Sequence, residues 1–208
     1  MIILVANLKG GITRTTVSVM LARAYGQAGE KVILADTTVR GDSARYVENM
    51  KKKHGLDIPF DVCELPSDPI GHNQNLSGGE TKLRARIQSL RESMGNEGVV
   101  VVDTNSHDED TLRSLDRIAT NVVVPYDCSG AALDPTLRTI DVLTAPTTVL
   151  VHRRFSTIDA RDMERLNQVV EKADHVSRAV WVYDEKYTKC DIPDSTFEFD
   201  QLVSDLSQ

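Results

Sequence analysis

The chain has 208 residues, of which 40% are hydrophobic and 26% are charged, and its net charge is −7. This length favours one domain spanning residues 1–208 with a substantial apolar core, and the negative charge argues against a generally basic nucleic-acid-binding surface. No apolar run reaches the roughly 18 residues that cross a bilayer, and no secretory signal follows Met1. The three cysteines lack C-x-x-C spacing. We therefore expect a cytoplasmic protein with free thiols.

The first 36 residues predict a β-α-β unit. The apolar run Ile2–Ala6 is typical of a strand that is buried on both faces. A glycine-containing turn opens into a helix predicted from Thr15 to about Ala28, and Lys31–Ala35 is a second buried strand. Two strands joined through a helix indicate a parallel sheet with a right-handed crossover.

The turn after the first strand has the layout of a phosphate-binding loop, in which amides at a helix N-terminus face an anion. The stretch Asn7–Thr16 (NLKGGITRTT) is close to the pattern G-x-x-x-x-G-K-[ST]. It departs from that pattern because Thr13 replaces the second glycine and Arg14 replaces the lysine. Thr15 keeps the hydroxyl that would hold Mg²⁺. The alternative is a Gly-Gly turn before an ordinary helix that is capped by threonine.

The second strand ends at Asp36, which is either a site residue or a cap for the helix predicted over Asp42–Lys53. Residues 54–76 are rich in proline and glycine and predict a loop with one short strand near Phe60–Cys63. The following Leu-Ser-Gly-Gly-Glu stretch is similar to an ABC-ATPase signature. Ser77 and Glu80 also form a complete capping box for a helix over residues 80–94, which we prefer.

The strand Gly98–Asp103 is uniformly apolar and ends in an acid. Such a carboxylate can hold the water shell of Mg²⁺, although buried strands that end in Asp are common in α/β proteins. Further strands are predicted over residues 121–125, 147–151 and 177–183. Helices are predicted over residues 108–119, from about 133 and over 159–172, and a short acidic helix is predicted at the end.

These motifs together resemble the ParA/MinD family of partition and positioning ATPases. The family's deviant phosphate loop reads N-x-K-G-G-x-G-K-T-T, and six positions match it here: Asn7, Lys9, Gly10, Gly11, Thr15 and Thr16. Asp36 and Gly41 match the family's D-x-D-P-Q-G segment, and Asp103-Thr104 matches its second aspartate motif. The resemblance implies an α/β, three-layer P-loop NTPase fold, with a mostly parallel twisted sheet and helices on both faces.

The resemblance also implies roles for individual residues. Lys9 falls on the signature lysine that reaches the partner's phosphates across a nucleotide-sandwiched dimer, and it is expected to be catalytic together with Arg14 and Asp36. Thr15, Asp36 and Asp103 are the expected metal ligands. The expected nucleotide-binding residues are Lys9, Gly10, Gly11, Ile12, Thr13, Arg14, Thr15 and Thr16, with His152 and Arg153 near the base. For the Arg153-Arg154 pair, solvated loop charge is the alternative.

The implied cofactors are ATP, or another NTP, and Mg²⁺. The implied partners are a second copy in a dimer or filament, a centromere-binding ParB-like adaptor and, more weakly, non-specific DNA. The acidic tail does not resemble the basic amphipathic helix with which MinD-like relatives bind membranes. The resemblance implies a plasmid or phage partition protein. Thr38 stands at the second aspartate of the D-x-D-P-Q-G segment and cannot act as a base, and Arg14 is bulkier than the family's lysine. We therefore expect hydrolysis to be slow or altered. The alternative is a non-hydrolysing pseudo-ATPase that serves as a scaffold or filament subunit.

Overall fold

The computed structural model contains one sheet of seven strands, all of which pair in parallel in the order β3-β2-β4-β1-β5-β6-β7. The structure describes residues 1–55, 57–65, 79–95, 97–105, 108–153, 159–182 and 197–207. The strands are β1 (Ile2–Val5), β2 (Val32–Asp36), β3 (Asp61–Glu64), β4 (Val99–Asp103), β5 (Asn121–Tyr126), β6 (Thr147–Arg153) and β7 (His175–Val182). The helices are α1 (Arg14–Gln27), α2 (Asp42–His54), α3 (Gly79–Ser93), α4 (Glu109–Asp116), α5 (Gly130–Val142), α6 (Ala160–Val170) and α7 (Phe197–Leu206).

Two apolar clusters cover the two faces of the sheet, which gives the three layers that the sequence predicts. Helices α1, α2 and α7 contribute to the first cluster, and helices α3 to α6 contribute to the second. The strands β1 and β4 are buried along their whole length. This burial explains why they are apolar without alternation, as is typical of parallel strands with helices on both sides. The predicted α/β fold with a parallel sheet and helices on both faces is confirmed.

Helix α1 is buried on all sides, with every residue from Thr16 to Tyr25 shielded from solvent. It packs against the sheet on one side and against α2 and α7 on others. Because α1 is covered on all sides, its apolar residues do not form a single face. None of the described helices is long and apolar enough to cross a bilayer.

Most element bounds lie close to the predicted ones, with two instructive differences. Helix α5 begins at Gly130 rather than near residue 133, because Ser129 takes the extended N-cap conformation before it. Strand β3 runs from Asp61 to Glu64, where it pairs with β2 up to Asp36. The predicted Ser77 cap of α3 lies outside the described residues, as does Arg154.

Candidate nucleotide and magnesium site

The sheet order brings three distant segments to one edge. Strand β4 lies between β1 and β2, and Asp103 at its end pairs in register with Val5 on one side and Asp36 on the other. Parallel strands present their carboxyl ends at the same edge, and ligands of open α/β sheets bind at that edge. The loop that follows β1 therefore lies next to both predicted carboxylates.

The first half of this loop is anchored by a backbone carbonyl of β5 and by threonine side chains of α5. Asn7 is 1% exposed, and its Nδ2 donates to the Pro125 carbonyl and to Thr136 Oγ1, both at 2.9 Å. Its Oδ1 accepts from the Lys9 amide at 2.8 Å, and the Leu8 amide donates to Thr139 Oγ1 at 2.9 Å. The sequence did not identify Thr136 or Thr139 as supports of the loop; the only signal is a pair of threonines three residues apart in a helix.

The second half of the loop leaves backbone donors available for an anion. Thr13 is the N-cap of α1, but its side chain does not cap the helix and donates instead to the carbonyl of Ile12 at 2.5 Å. The amides of the first helical turn have no acceptor within the helix. Gly11 has a φ of +70° and no atom within 4 Å of a Cβ built on it, so the loop is open on this side. An anion-binding turn can form here.

Thr13 itself has left-handed backbone geometry, with φ 64° and ψ 18°. This conformation costs a residue other than glycine roughly 1–2 kcal/mol. The helix thus starts in the geometry that the family's glycine would supply, with a β-branched residue in its place. The loop keeps its shape at a local energetic cost.

Replacing Thr13 by glycine is therefore expected to stabilise the folded protein. The relief of backbone strain exceeds the roughly 0.5–1 kcal/mol of extra chain entropy that glycine loses, so the free energy of unfolding should rise by about 0.5 kcal/mol. Urea unfolding measures the change. The matched control is Thr81→Gly in the exposed first turn of α3, which should be neutral or destabilising. A loss of stability in Thr13→Gly would contradict the strain assigned to Thr13.

Arg14 reaches back across the loop. Its Nη1 donates to the carbonyls of Asn7 and of Lys9, the latter at 2.9 Å. Burial lowers the pKa of the guanidinium, and the charges of Asp103 and Asp42 oppose that shift. The Lys9 ammonium donates to the Gly10 carbonyl at 3.0 Å. Both cations of the loop thus contact loop carbonyls, and the nucleotide-binding role expected of Arg14 stays a prediction.

Asp103 is fully buried and is the most perturbed acid of the site. Burial raises the pKa of its carboxyl group to about 6, while hydrogen bonding from Ser43 and Thr15 and the charge of Arg14 act in the opposite direction. Ser43 Oγ donates to Asp103 Oδ2 at 2.6 Å. The Thr15 hydroxyl lies beside the same carboxylate, although no bond of standard geometry joins them, and within the described part of the chain Oδ1 accepts no hydrogen bond.

This arrangement fits Mg²⁺. A hydroxyl and one unpaired carboxylate oxygen are hard oxygen ligands, and Mg²⁺ is usually held by one or two protein groups together with water and phosphate oxygens. No cluster of three His, Cys, Asp or Glu side chains suitable for a metal occurs among the described residues. Thr15 and Asp103 would therefore hold the ion jointly with a bound phosphate, which is the chemistry of a nucleotide site.

The Asp36 carboxylate is fully engaged with the start of α2. Its Oδ1 accepts from the amide of Thr38 at 2.9 Å and from the Thr38 hydroxyl at 2.6 Å, and its Oδ2 accepts from the Ala44 amide at 2.9 Å. Thr38 Oγ1 in turn accepts from the Asp42 amide at 2.8 Å. These contacts fit the alternative prediction, in which Asp36 caps the helix that follows. The catalytic and metal roles expected of Asp36 stay predictions.

The two residues predicted near the base lie at the end of β6. His152 is 1% exposed, and Arg153 is the last residue of the strand. Strand β5 separates β6 from β1 in the sheet. Both residues therefore belong to the same carboxyl edge as the loop, two strands away from β1. Their contact with a base stays a prediction.

Comparison with known proteins identifies the family. The family model of the ATPase MipZ matches residues 1–175. No match was found among curated protein sequences.

Three solved structures illustrate the similarity of fold. A plasmid partition protein from Borrelia burgdorferi is 17% identical with a TM-score of 0.66, and the alignment covers 99% of this chain and 97% of that one. The ATP complex of a Cyanothece McdA variant is 15% identical with a TM-score of 0.69, and the alignment covers 99% of this chain and 96% of that one. The MinC:MinD cell division complex of Aquifex aeolicus is 16% identical with a TM-score of 0.68, and the alignment covers 100% of this chain and 96% of that one.

At these identities the structures show the fold, and the match to the family model shows the family. The predicted resemblance to ParA/MinD-type ATPases is confirmed. The chain belongs to the MipZ ATPase family and has the ParA/MinD-type P-loop fold.

Proposed function

We propose that this protein is a nucleotide-dependent partition ATPase of the ParA type, which acts in the cytoplasm and segregates a plasmid, phage or similar replicon. It binds ATP, or another NTP, with Mg²⁺, and then forms a dimer or filament that engages a centromere-binding ParB-like adaptor. One observation carries the proposal: the open amides at the start of α1 lie beside Thr15 and the buried, half-satisfied carboxylate of Asp103. Amides gather phosphates, and the hydroxyl–carboxylate pair suits the accompanying ion.

We also propose that hydrolysis is slow. Arg14 keeps a positive charge in the loop, but its planar fork cannot replace the compact ammonium of lysine in a tight phosphate site. Thr38 replaces a second acid and uses its hydroxyl to join Asp36 to the start of α2. Groups that position or activate a nucleophile contribute about 10²–10⁴ in rate, whereas phosphate binding by amides survives their loss.

Calorimetry with ATP, ADP, CTP and GTP, each with Mg²⁺, tests the proposal directly. Saturable binding of at least one triphosphate is expected. Failure of all four nucleotides to bind would favour the second candidate, a pseudo-ATPase scaffold or filament subunit. The observation that favours this candidate is the contact of Arg14 Nη1 with two loop carbonyls, because that contact gives this end of the guanidinium acceptors without a phosphate.

Arg14→Lys is expected to raise the rate of ATP hydrolysis. A lysine at the same position restores a flexible point charge that follows the γ-phosphate as charge develops on it, an effect on the order of tenfold or more. A phosphate-release assay measures turnover for both proteins with and without the adaptor. The matched control is Arg138→Lys on α5, which pairs with Glu109 on the surface and should leave turnover unchanged. Fast, adaptor-stimulated turnover in the unmodified protein would contradict the slow hydrolysis proposed here.

Non-specific DNA binding is a weaker part of the proposal. Helix α3 carries three arginines, Arg84, Arg86 and Arg91, on a chain whose net charge is −7. Binding through them would weaken steeply with salt, because each phosphate contact releases counterions. A gel shift in which the triple replacement by alanine changes nothing would remove this helix as the DNA contact.

A further inference from the structure

Ser43 contacts the candidate magnesium site from α2, whereas the phosphate loop leads into α1. It is the second residue of α2 and is fully buried, and its hydroxyl donates to Asp103 Oδ2 at 2.6 Å. That distance is typical of a strong hydroxyl–carboxylate bond. A charge in a dry environment requires such partners. Arg14 supplies charge nearby, but Ser43 is the group bonded to the carboxylate itself.

The bond selects which oxygen of Asp103 faces the ion. With Oδ2 held by Ser43, the remaining oxygen, Oδ1, accepts no hydrogen bond among the described residues although it is buried. Thr15 lies beside this carboxylate. Without the Ser43 bond, neither oxygen of Asp103 has a fixed hydroxyl partner, and the carboxylate is free to rotate. The Ser43 bond therefore leaves Oδ1 as the oxygen of Asp103 that remains for a ligand.

The position of Ser43 depends in turn on the cap of α2. The Asp36 carboxylate accepts from the amide of Ala44, the next residue, and Thr38 accepts from the amide of Asp42, the residue before. These two bonds bracket Ser43 and fix its backbone. A continuous path of short contacts thus runs from Asp36 through the start of α2 to Asp103. No motif in the sequence indicated this path, because Ser43 and Asp103 are 60 residues apart.

We propose that Ser43 is a positioning residue for Mg²⁺, which orients Asp103 so that its free oxygen serves the ion of the bound nucleotide. This proposal rests on the proposed nucleotide-binding function. Partners that orient metal ligands typically contribute 10- to 100-fold to metal affinity. Ser43 should therefore affect the Mg²⁺ requirement of nucleotide binding and not the binding of nucleotide without metal.

The test measures binding of a fluorescent ATP analogue as a function of Mg²⁺ concentration, and again in EDTA. In Ser43→Ala, the Mg²⁺ concentration for half-maximal enhancement is expected to rise about tenfold or more, with affinity in EDTA unchanged. Ser43→Cys has similar volume and a weaker donor, and it should shift in the same direction. Ser43→Thr keeps the hydroxyl and should retain the wild-type requirement. Circular dichroism shows whether each variant is folded. If the alanine variant does not fold, the Mg²⁺ titration is made with the cysteine variant.

The matched control is Ser177→Ala. Ser177 is also a buried serine whose hydroxyl donates to a carboxylate, that of Asp205 at 2.8 Å, and it lies on β7 away from the site. An equal shift in the Ser43 and Ser177 variants, or no shift in the Ser43 variants, would overturn the positioning role while leaving the proposed function intact. Wild-type protein that binds the analogue neither with Mg²⁺ nor in EDTA would overturn both.

Discussion

Replacing Asp103 by asparagine is expected to make the protein more stable and unable to use Mg²⁺. The variant keeps the size and shape of the side chain but removes a buried charge. The pKa of Asp103 is raised to about 6, chiefly by burial, which means that the folded state disfavours the ionised form. The difference of about two pKa units from an ordinary carboxyl group corresponds to roughly 2–3 kcal/mol. At neutral pH, Asp103→Asn should be more stable by about that amount.

The effect has a definite pH dependence. Between about pH 4 and pH 6 the folded wild type holds a proton on Asp103 that the unfolded chain has lost, so this group makes stability fall as pH rises. Below pH 4 both states are protonated and the contribution vanishes, whereas above pH 6 the destabilisation is complete. The difference in stability between variant and wild type should therefore be near zero at pH 3.5 and reach its full size by pH 7.

Urea unfolding at several pH values measures this difference in metal-free buffer, where other titrating groups cancel between the two proteins. In Mg²⁺ titrations the same variant should lose on the order of 100-fold in metal-dependent nucleotide affinity, because a neutral amide replaces the charged ligand. A variant that is less stable than wild type at pH 7 would contradict the cost assigned to the buried charge. A variant that keeps the wild-type Mg²⁺ requirement would contradict the assignment of Asp103 to the ion.

Gly26→Ala is expected to be strongly destabilising. Gly26 lies in the last turn of α1, and a Cβ built on it would lie 2.2 Å from the Pro59 carbonyl oxygen and 2.9 Å from the Pro59 carbonyl carbon. Both are backbone atoms, so a side-chain rotation cannot relieve the clash. Overpacking of this kind costs about 3 kcal/mol, which exceeds the roughly 1 kcal/mol that alanine gains over glycine in a helix. A net loss of about 2 kcal/mol or more is expected.

Thermal and urea unfolding measure this loss, which for a chain of this length corresponds to a fall in Tm of about 4–8 °C. Gly79→Ala is the matched control, because a Cβ at Gly79, in the first turn of α3, has no atom within 4 Å. The control should be neutral or slightly stabilising. Equal stability of the two variants would mean that the segment containing Pro59 moves away from α1 without cost.

The fold could be predicted from the sequence because its strongest signals are local. Uniformly apolar strands such as Val99–Asp103 are buried on both faces by helices, and that burial removes the polar alternation of an exposed sheet. The loop residues and Asp103 were identified for the same reason, since each follows directly from a strand end. The family resemblance then supplied the expectation that these segments converge.

The contacts that hold the site together could not be predicted in this way. Asn7 bonds to groups 118 and 129 residues away, and these contacts exist only once β5 and α5 are in place. Asp36 was expected mainly as a ligand, yet its oxygens are engaged by Thr38 and Ala44. Because serine, threonine and aspartate serve equally well as caps, ligands and supports, their roles follow from three-dimensional neighbours rather than from spacing.

The anchoring of Asn7 by β5 and α5 has a consequence for which loop positions can change. The shape of the loop is held from outside its own sequence, by Pro125 and Thr136, so the interior positions can change while the path of the backbone is retained. Thr13 and Arg14 are changes of that kind. In this chain, the departures at Thr13 and Arg14 therefore leave the external anchors of the loop intact, and the bond between Asn7 and Thr136 is the contact whose removal would disturb the loop as a whole.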